Sequence, residues 1–309
     1  MSGRPESLAS VVDASAPASH VAIEASSDKT AGRKQSRDWG LIISGAMVAI
    51  VALITIAGPW IVPHDPNYID SRSRLMPPVW MDGGSWDHPL GTDGVGRDLL
   101  ARIVVAFRTS LLIAIAGVLL AVSIGVVIGI VSGFLGGIAD TVLMAITDIQ
   151  LSFPFVVLAV SLLSLTRPRP SVLIVVLSLA AWPMYARVVR SVAQQERGAD
   201  YIIAARAIGV PQWRILGYYV GRNIVPPVFI VASIDIATLI VLESLLSFLG
   251  LGVQPPTASW GNIIAESKNY LSSSWWVPTL PGVAIVFTVL SFNLLGDSLH
   301  RYIDPRSAR

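Results

Sequence analysis

Long apolar runs separated by shorter polar segments dominate this chain, and the runs have the length that a lipid bilayer demands. A helix needs about 20 mostly apolar residues to cross a hydrocarbon layer of about 30 Å. On that measure the pattern predicts six spans, at about 41–62, 104–132, 140–165, 171–190, 224–246 and 279–299. Residues 1–38, rich in Ala, Ser and charge and without apolar periodicity, read as a disordered tail. The first run follows the basic flank Gly32-Arg33-Lys34-Gln35-Ser36-Arg37-Asp38. It is too long for a signal-peptide core and has no clear small-residue cleavage site, so it reads as a retained span. The expected fold is an all-α integral membrane protein of about six transmembrane helices.

Punctuation within the pattern adds detail. Five prolines break the polar loop at 63–103, namely Pro63, Pro66, Pro77, Pro78 and Pro89. In the second span Gly117, Ala121, Gly125, Gly129 and Gly133 recur every four residues. Small residues at that spacing form a groove that lets another helix backbone approach closely, which predicts packing rather than chemistry. The third span carries Asp148 and an expected kink at Pro154. The turn Arg167-Pro168-Arg169-Pro170 leads to the fourth span, a polar segment covers 191–222, and a loop rich in Gly, Pro and Trp precedes the sixth span.

Composition agrees with this reading. Hydrophobic residues make up 53% and charged residues 14%, with a mean hydropathy of +0.65, where soluble domains carry roughly 25% charge. The net charge of +2 is too small to argue for a nucleic-acid partner. With no cysteine, disulfides, iron–sulfur clusters and thiolate catalysis are excluded. The histidines His20, His64, His88 and His300 are scattered and read as unmatched surface residues, so no metal site is assigned. Twelve Lys and Arg residues flank the spans on the side of the N-terminus and seven lie on the other, a bias that places both termini in the cytoplasm.

One polar segment stands out. Arg197-Gly198-Ala199-Asp200-Tyr201-Ile202-Ile203-Ala204-Ala205-Arg206-Ala207-Ile208-Gly209 has the mixture expected of a short helix outside the bilayer. Gly209 suits a C-terminal cap in the left-handed conformation, and Pro211 suits the first turn of a second helix. Small side chains at Ala204, Ala205 and Ala207 would let the helix sit deep in a partner's groove. The residues alone leave an amphipathic loop lying on the membrane surface equally open.

This segment resembles the cytoplasmic coupling loop, the "EAA" loop, of binding-protein-dependent ABC importer permeases. Ile203-Ala204-Ala205-Arg206-Ala207-Ile208-Gly209 matches that motif at both alanines and the glycine. Ile203 stands at the glutamate position, and Val220-Gly221-Arg222-Asn223, aligned with the later part of the motif, lacks its proline. Three further stretches resemble the dipeptide, oligopeptide and nickel branch. They are His88 to Leu100 (HPLGTDGVGRDLL), Leu246 to Pro256 (LSFLGLGVQPP) with Ser259-Trp260-Gly261, and Asn293-Leu294-Leu295-Gly296-Asp297 with Asp304-Pro305-Arg306. Their order is similar to that of the second, C-type permease subunit.

The resemblance implies a type I importer permease in the bacterial cytoplasmic membrane, bringing dipeptides or oligopeptides inward. It implies a second homologous permease, two ATP-binding cassette ATPases, an extracytoplasmic substrate-binding protein and surrounding lipid as partners. Asp200, Ala204, Ala205, Arg206, Ala207, Gly209 and Trp213 would then form the surface engaged by the ATPases. No cofactor and no catalysis are expected in this chain, with ATP and magnesium held by the partners. Gly91-Thr92-Asp93-Gly94-Val95-Gly96-Arg97-Asp98 only imitates a phosphate-binding loop, since Arg97 and Asp98 replace the required Lys and Ser or Thr.

Asp148, Asp235 and Glu243 fall in or near spans, where an acidic residue is costly and faces a bundle interior or water. A cargo path or proton relay is one reading. A helix-to-helix hydrogen bond is preferred, because ATP would supply the energy. The alternative is an ion-gradient-driven transporter working through Asp148 or Glu243, which predicts inverted repeats, and no repeat is visible. A membrane-embedded enzyme lacks any His, Cys or paired-carboxylate constellation.

Overall fold

In a computed structural model, residues 28–166 and 168–303 are described, with side chains from Trp39 onward. The expectations for residues 1–27, for Arg167 and for Asp304-Pro305-Arg306 lie outside the described residues. Ten helices follow in order: α1 (Asp28–Ile61), α2 (Leu99–Leu135), α3 (Gly137–Ser152), α4 (Phe155–Ser164), α5 (Pro170–Arg197), α6 (Asp200–Ala207), α7 (Gln212–Arg214), α8 (Gly221–Phe248), α9 (Trp260–Ser267) and α10 (Trp276–Ile303). A π-helical stretch, Ile215–Val220, joins α7 to α8. Among the described residues the only strand-like pairing is a single antiparallel bridge between Thr92 and Asp98.

Five of these helices are long and apolar enough to cross a membrane, or six if α3 and α4 together make one span. That last pair departs from expectation. A continuous third span with a kink was predicted, but α3 and α4 meet at 84°. The residue before a proline is driven out of helical geometry by the pyrrolidine ring, and Phe153 accordingly adopts φ −90°, ψ 131°. The helix is broken there rather than kinked. Other boundaries also move. Backbone helix begins at Asp28, inside the expected tail. α5 runs on to Arg197 and, after the short helix α6, the helical stretch that leads into α8 starts at Gln212, so much of the expected polar segment extends the two neighbouring long helices. α9 occupies the loop before the last span, fixed at its start by a capping box between Ser259 and Asn262.

α2 is the spine of the bundle. Its 37 residues make a rod of about 55 Å at 1.5 Å per residue, longer than the hydrocarbon layer. Its small-residue ridge packs directly on α5. A β-carbon at Gly125 would collide with Tyr185 Cβ, one at Gly129 would lie 2.6 Å from Val189 Cβ, and one at Gly133 would lie 2.6 Å from the Arg190 carbonyl. Similar close approaches seat α10 on α8 at Gly296 against Ile234, and α9 on α8 at Gly261 against the Ser244 carbonyl. Outward-facing Leu112, Leu119, Val127, Phe229, Val283 and Val286 are exposed, the pattern of a bundle whose solvent is lipid.

The two ends of α2 define two ends of the molecule. At its start, Phe107 packs edge-on to Trp260 of α9, with ring centroids 4.8 Å apart. At its finish, the Arg206 guanidinium of α6 lies 4.9 Å over the Phe134 ring.

Candidate functional site

The segment α6–α7 caps one end of the bundle. Asp200 opens α6, where its charge favours the helix N-terminus. Ile202 and Ala205 form the buried face. The chain leaves α6 through a Schellman turn: the Gly209 N–H donates to the Arg206 carbonyl at 3.0 Å and the Val210 N–H to the Ala205 carbonyl at 3.0 Å. Gly209 takes φ +81° there, the conformation that favours glycine. Pro211 sits one position earlier than expected, as the residue preceding α7.

Of the seven residues singled out in this loop, Asp200, Ala204, Arg206, Ala207, Gly209 and Trp213 are exposed and Ala205 is buried. Ala205 therefore fastens α6 to the bundle and does not contribute to its outer surface. That surface is more apolar than the motif alone conveys. Ile203, Ile208 and Trp213 are 56%, 81% and 70% exposed, on an element pinned through Ile202, Ala205 and Ile215. The Tyr201 hydroxyl also lies 3.3 Å from the Asn223 side-chain amide of α8. The prolines absent from 220–223 lie three residues on, at Pro226 and Pro227 inside α8.

At the opposite end, the stretch that imitates a phosphate loop is the anchor of the loop between α1 and α2. Asp93 accepts from the Val95 and Arg97 backbone N–H groups, each at 2.9 Å, and pairs with Arg97 and Arg102 at 2.6 Å. Arg97 and Arg102 in turn reach Glu266 of α9, at 2.6 and 2.9 Å. Burial pushes the Asp93 carboxyl up, but the two backbone donors and the two arginines outweigh it and hold it below the usual carboxylate range. Arg102, only 1% exposed, is thus neutralised from both sides. The i,i+4 pair of Asp93 and Arg97 is readable locally, whereas Glu266 is 169 residues from Arg97 and left no sequence signal.

The histidines require a correction. His64 and His88, read as unmatched surface residues, lie with ring centroids 5.0 Å apart beside Asp98. Asp98 itself caps α2, its Oδ1 accepting from the Ala101 N–H at 2.6 Å.

The three acids expected in or near spans find different partners. Asp148 of α3 pairs with Arg187 of α5 at 2.7 Å, both side chains being largely exposed. Asp235 of α8 faces the Tyr185 hydroxyl of α5. Glu243, fully buried, accepts from the Ser247 hydroxyl at 2.7 Å, with Ser110 and Ser259 also turned toward it. A fourth acid went unnoticed in the sequence: Asp140 of α3 takes a bidentate pair from Arg190, at 2.5 and 2.7 Å, and a short bond from Ser132.

Comparison with known proteins supplies the context for these two ends. Residues 125–309 match the family described as the binding-protein-dependent transport system inner membrane component. Residues 29–78 match the N-terminal transmembrane domain of oligopeptide transport permease C. The dipeptide transport system permease protein DppC of Escherichia coli K12 is 39% identical over 270 residues, covering 87% of this chain and 90% of that protein. The probable D,D-dipeptide transport system permease protein DdpC of the same organism is 37% identical over 266 residues, covering 86% and 87%. Among solved structures, an inward-facing form of the MetNI methionine ABC transporter aligns with a TM-score of 0.51 at 22% identity, covering 63% of this chain and 93% of that one. That likeness concerns the fold. The sequence matches settle the family: this chain belongs to the inner-membrane permease components of binding-protein-dependent ABC transport systems, in their dipeptide and oligopeptide branch.

Proposed function

We propose that the chain is one of two permease subunits of an ATP-driven importer of dipeptides or oligopeptides, supplying half of the translocation path. The observation that carries the mechanism is the apolar surface on α6 and α7. The α6–α7 segment, held by its buried face and joined by short turns to α5 and through the π-helical stretch to α8, presents Ile203, Ile208 and Trp213 outward. Exposed aromatic and aliphatic anchors on a rigid element suit a partner's groove. A separate ATPase seated there would move α6, and α5 and α8 would carry that movement into the bilayer. ATP and magnesium belong to that partner. In this reading the α6 end faces the cytoplasm, with both termini, and the loops around Asp93 and α9 face the extracytoplasmic binding protein that delivers peptide.

Membership of this family argues against the ion-gradient alternative, and so does the pairing of Asp148 with Arg187. The test is to tag the chain, extract it from native membranes in mild detergent and identify what accompanies it. A second permease with one or two Walker-containing ATPases is expected, and the ligand of the associated binding protein would name the cargo. Recovery of the chain alone, or only with copies of itself, would overturn the proposal.

A further inference from the structure

We propose that His64, His88 and Asp98 form a binding site for one divalent transition-metal ion of the zinc class, clasping the end of α1 to the start of α2. The three residues come from separate places. His64 follows the end of α1 at Ile61, His88 lies in the loop beyond, and Asp98 caps α2. One ligand atom from each lies within 4.8 Å of the others. The His88 Nδ1 is 2.7 Å and the His64 Nδ1 4.0 Å from Asp98 Oδ2. Tetrahedral ligands at 2.0–2.2 Å from zinc sit about 3.3 Å apart. Of the two histidine–aspartate pairs, one must open and the other close by less than about an ångström, and the two imidazoles must close by up to about 1.5 Å, movements that side-chain rotation supplies.

The site has the supports that metal centres need. Asp98 is buried, and its Oδ1 is committed to the Ala101 N–H, so the carboxylate is oriented and Oδ2 is left for an ion. The ion would take the place of the hydrogen bond that His88 and Asp98 now share. Imidazole nitrogens with one carboxylate oxygen suit zinc, cobalt or nickel far better than magnesium or calcium. The cluster opens into a cavity of about 120 Å³ lined also by Asp65, Tyr68 and Asp70, which has room for water as a fourth ligand. Asp70 spends both carboxylate oxygens on a local turn, through the Arg72 N–H and the Ser73 hydroxyl, and Asp65 spends one on the Asn67 N–H. Both add negative charge to the cavity. The proposal stands on this geometry alone and does not depend on the transport reading.

The full chain, purified through a tag without histidine and stripped with a chelator, is to be titrated with Co²⁺ and then competed with Zn²⁺. The expected result is one ion per chain, with visible cobalt bands of tetrahedral intensity that zinc abolishes, and a rise in thermal stability on adding zinc. His64→Gln and His88→Gln are each expected to weaken binding by about 100-fold and to remove the stabilisation. His20→Gln combined with His300→Gln should leave both unchanged. Asp98→Asn disturbs the helix cap as well, so the histidine variants carry the decision. Binding that survives the double His64→Gln, His88→Gln variant would be adventitious and would overturn the proposal, as would the absence of one-to-one binding to a monodisperse, helical chain.

Discussion

Gly209 carries two demands that a single substitution can separate. Its φ of +81° costs most L-residues about 1–2 kcal/mol and Asn or Asp less, and no neighbouring atom lies within 4 Å of where a β-carbon would point. A side chain at this position therefore enters the outer surface of the α6–α7 turn without disturbing the core. Gly209→Asp is expected to leave membrane abundance and detergent stability close to wild type, while lowering ATP-dependent peptide uptake by about tenfold. Uptake measured in whole cells against immunoblotted membrane levels checks this, and wild-type uptake would remove the turn from the mechanism. Ala205 shows the complementary case. It matches the motif as Ala204 does, but it is buried, so its role is to hold α6 in place. The motif alone could not distinguish the two, because inward and outward faces of a short helix are set by what lies beneath it.

At the scale of elements, the small-residue ridge on α2 was readable because a four-residue spacing puts those positions on one face of any helix. Which helix fills the groove was not readable. The structure assigns α5, through Tyr185, Ala186 and Val189. Gly129→Leu is expected to force α2 and α5 apart, since even its β-carbon would meet Val189 Cβ at 2.6 Å and the Ala186 carbonyl at 2.7 Å. Overpacking of this kind costs about 1–3 kcal/mol, and thermal unfolding in detergent should register it as a lower midpoint. Gly282→Ala in α10, where nothing lies within 4 Å, should be neutral or slightly stabilising by helix propensity. The break between α3 and α4 was half visible. Pro154 announced a disturbance, but the 84° turn needs the surroundings of both helices to hold it open.

For the whole molecule, the Asp93–Arg97–Arg102–Glu266 cluster ties the loop between α1 and α2 to α9, across most of the chain length. Removing Arg102 leaves Asp93 and Glu266 with Arg97 as their shared cation. Arg102→Met is expected to destabilise the fold by about 1–3 kcal/mol through the lost charged hydrogen bonds, read as a lower unfolding midpoint at neutral pH. The depressed Asp93 pKa sets a direction for acid. Its stabilising contribution is fully present above the unfolded carboxylate value, about 3.9, and is lost as pH falls through the lower folded value. Midpoints recorded from pH 7 down to pH 3 should fall on the acid side. Asp93→Asn should lie below wild type at pH 7 and converge on it in acid. Parallel curves would deny the carboxylate that role.

The sequence by itself determined the solvent of this protein, its all-helical architecture of five to six apolar spans, the position of the α6–Gly209 turn and the family. Each depends on local information: run length against bilayer thickness, glycine at a left-handed cap, and motifs read within a dozen residues. Tertiary structure decided which residues meet. It paired Arg97 and Arg102 with Glu266, Arg190 with Asp140, and His64 with His88, and it turned Ala205 inward. Those contacts join parts of the chain far apart in number, or depend on which face of a helix finds a neighbour. Neither property leaves a period or a spacing in a single sequence.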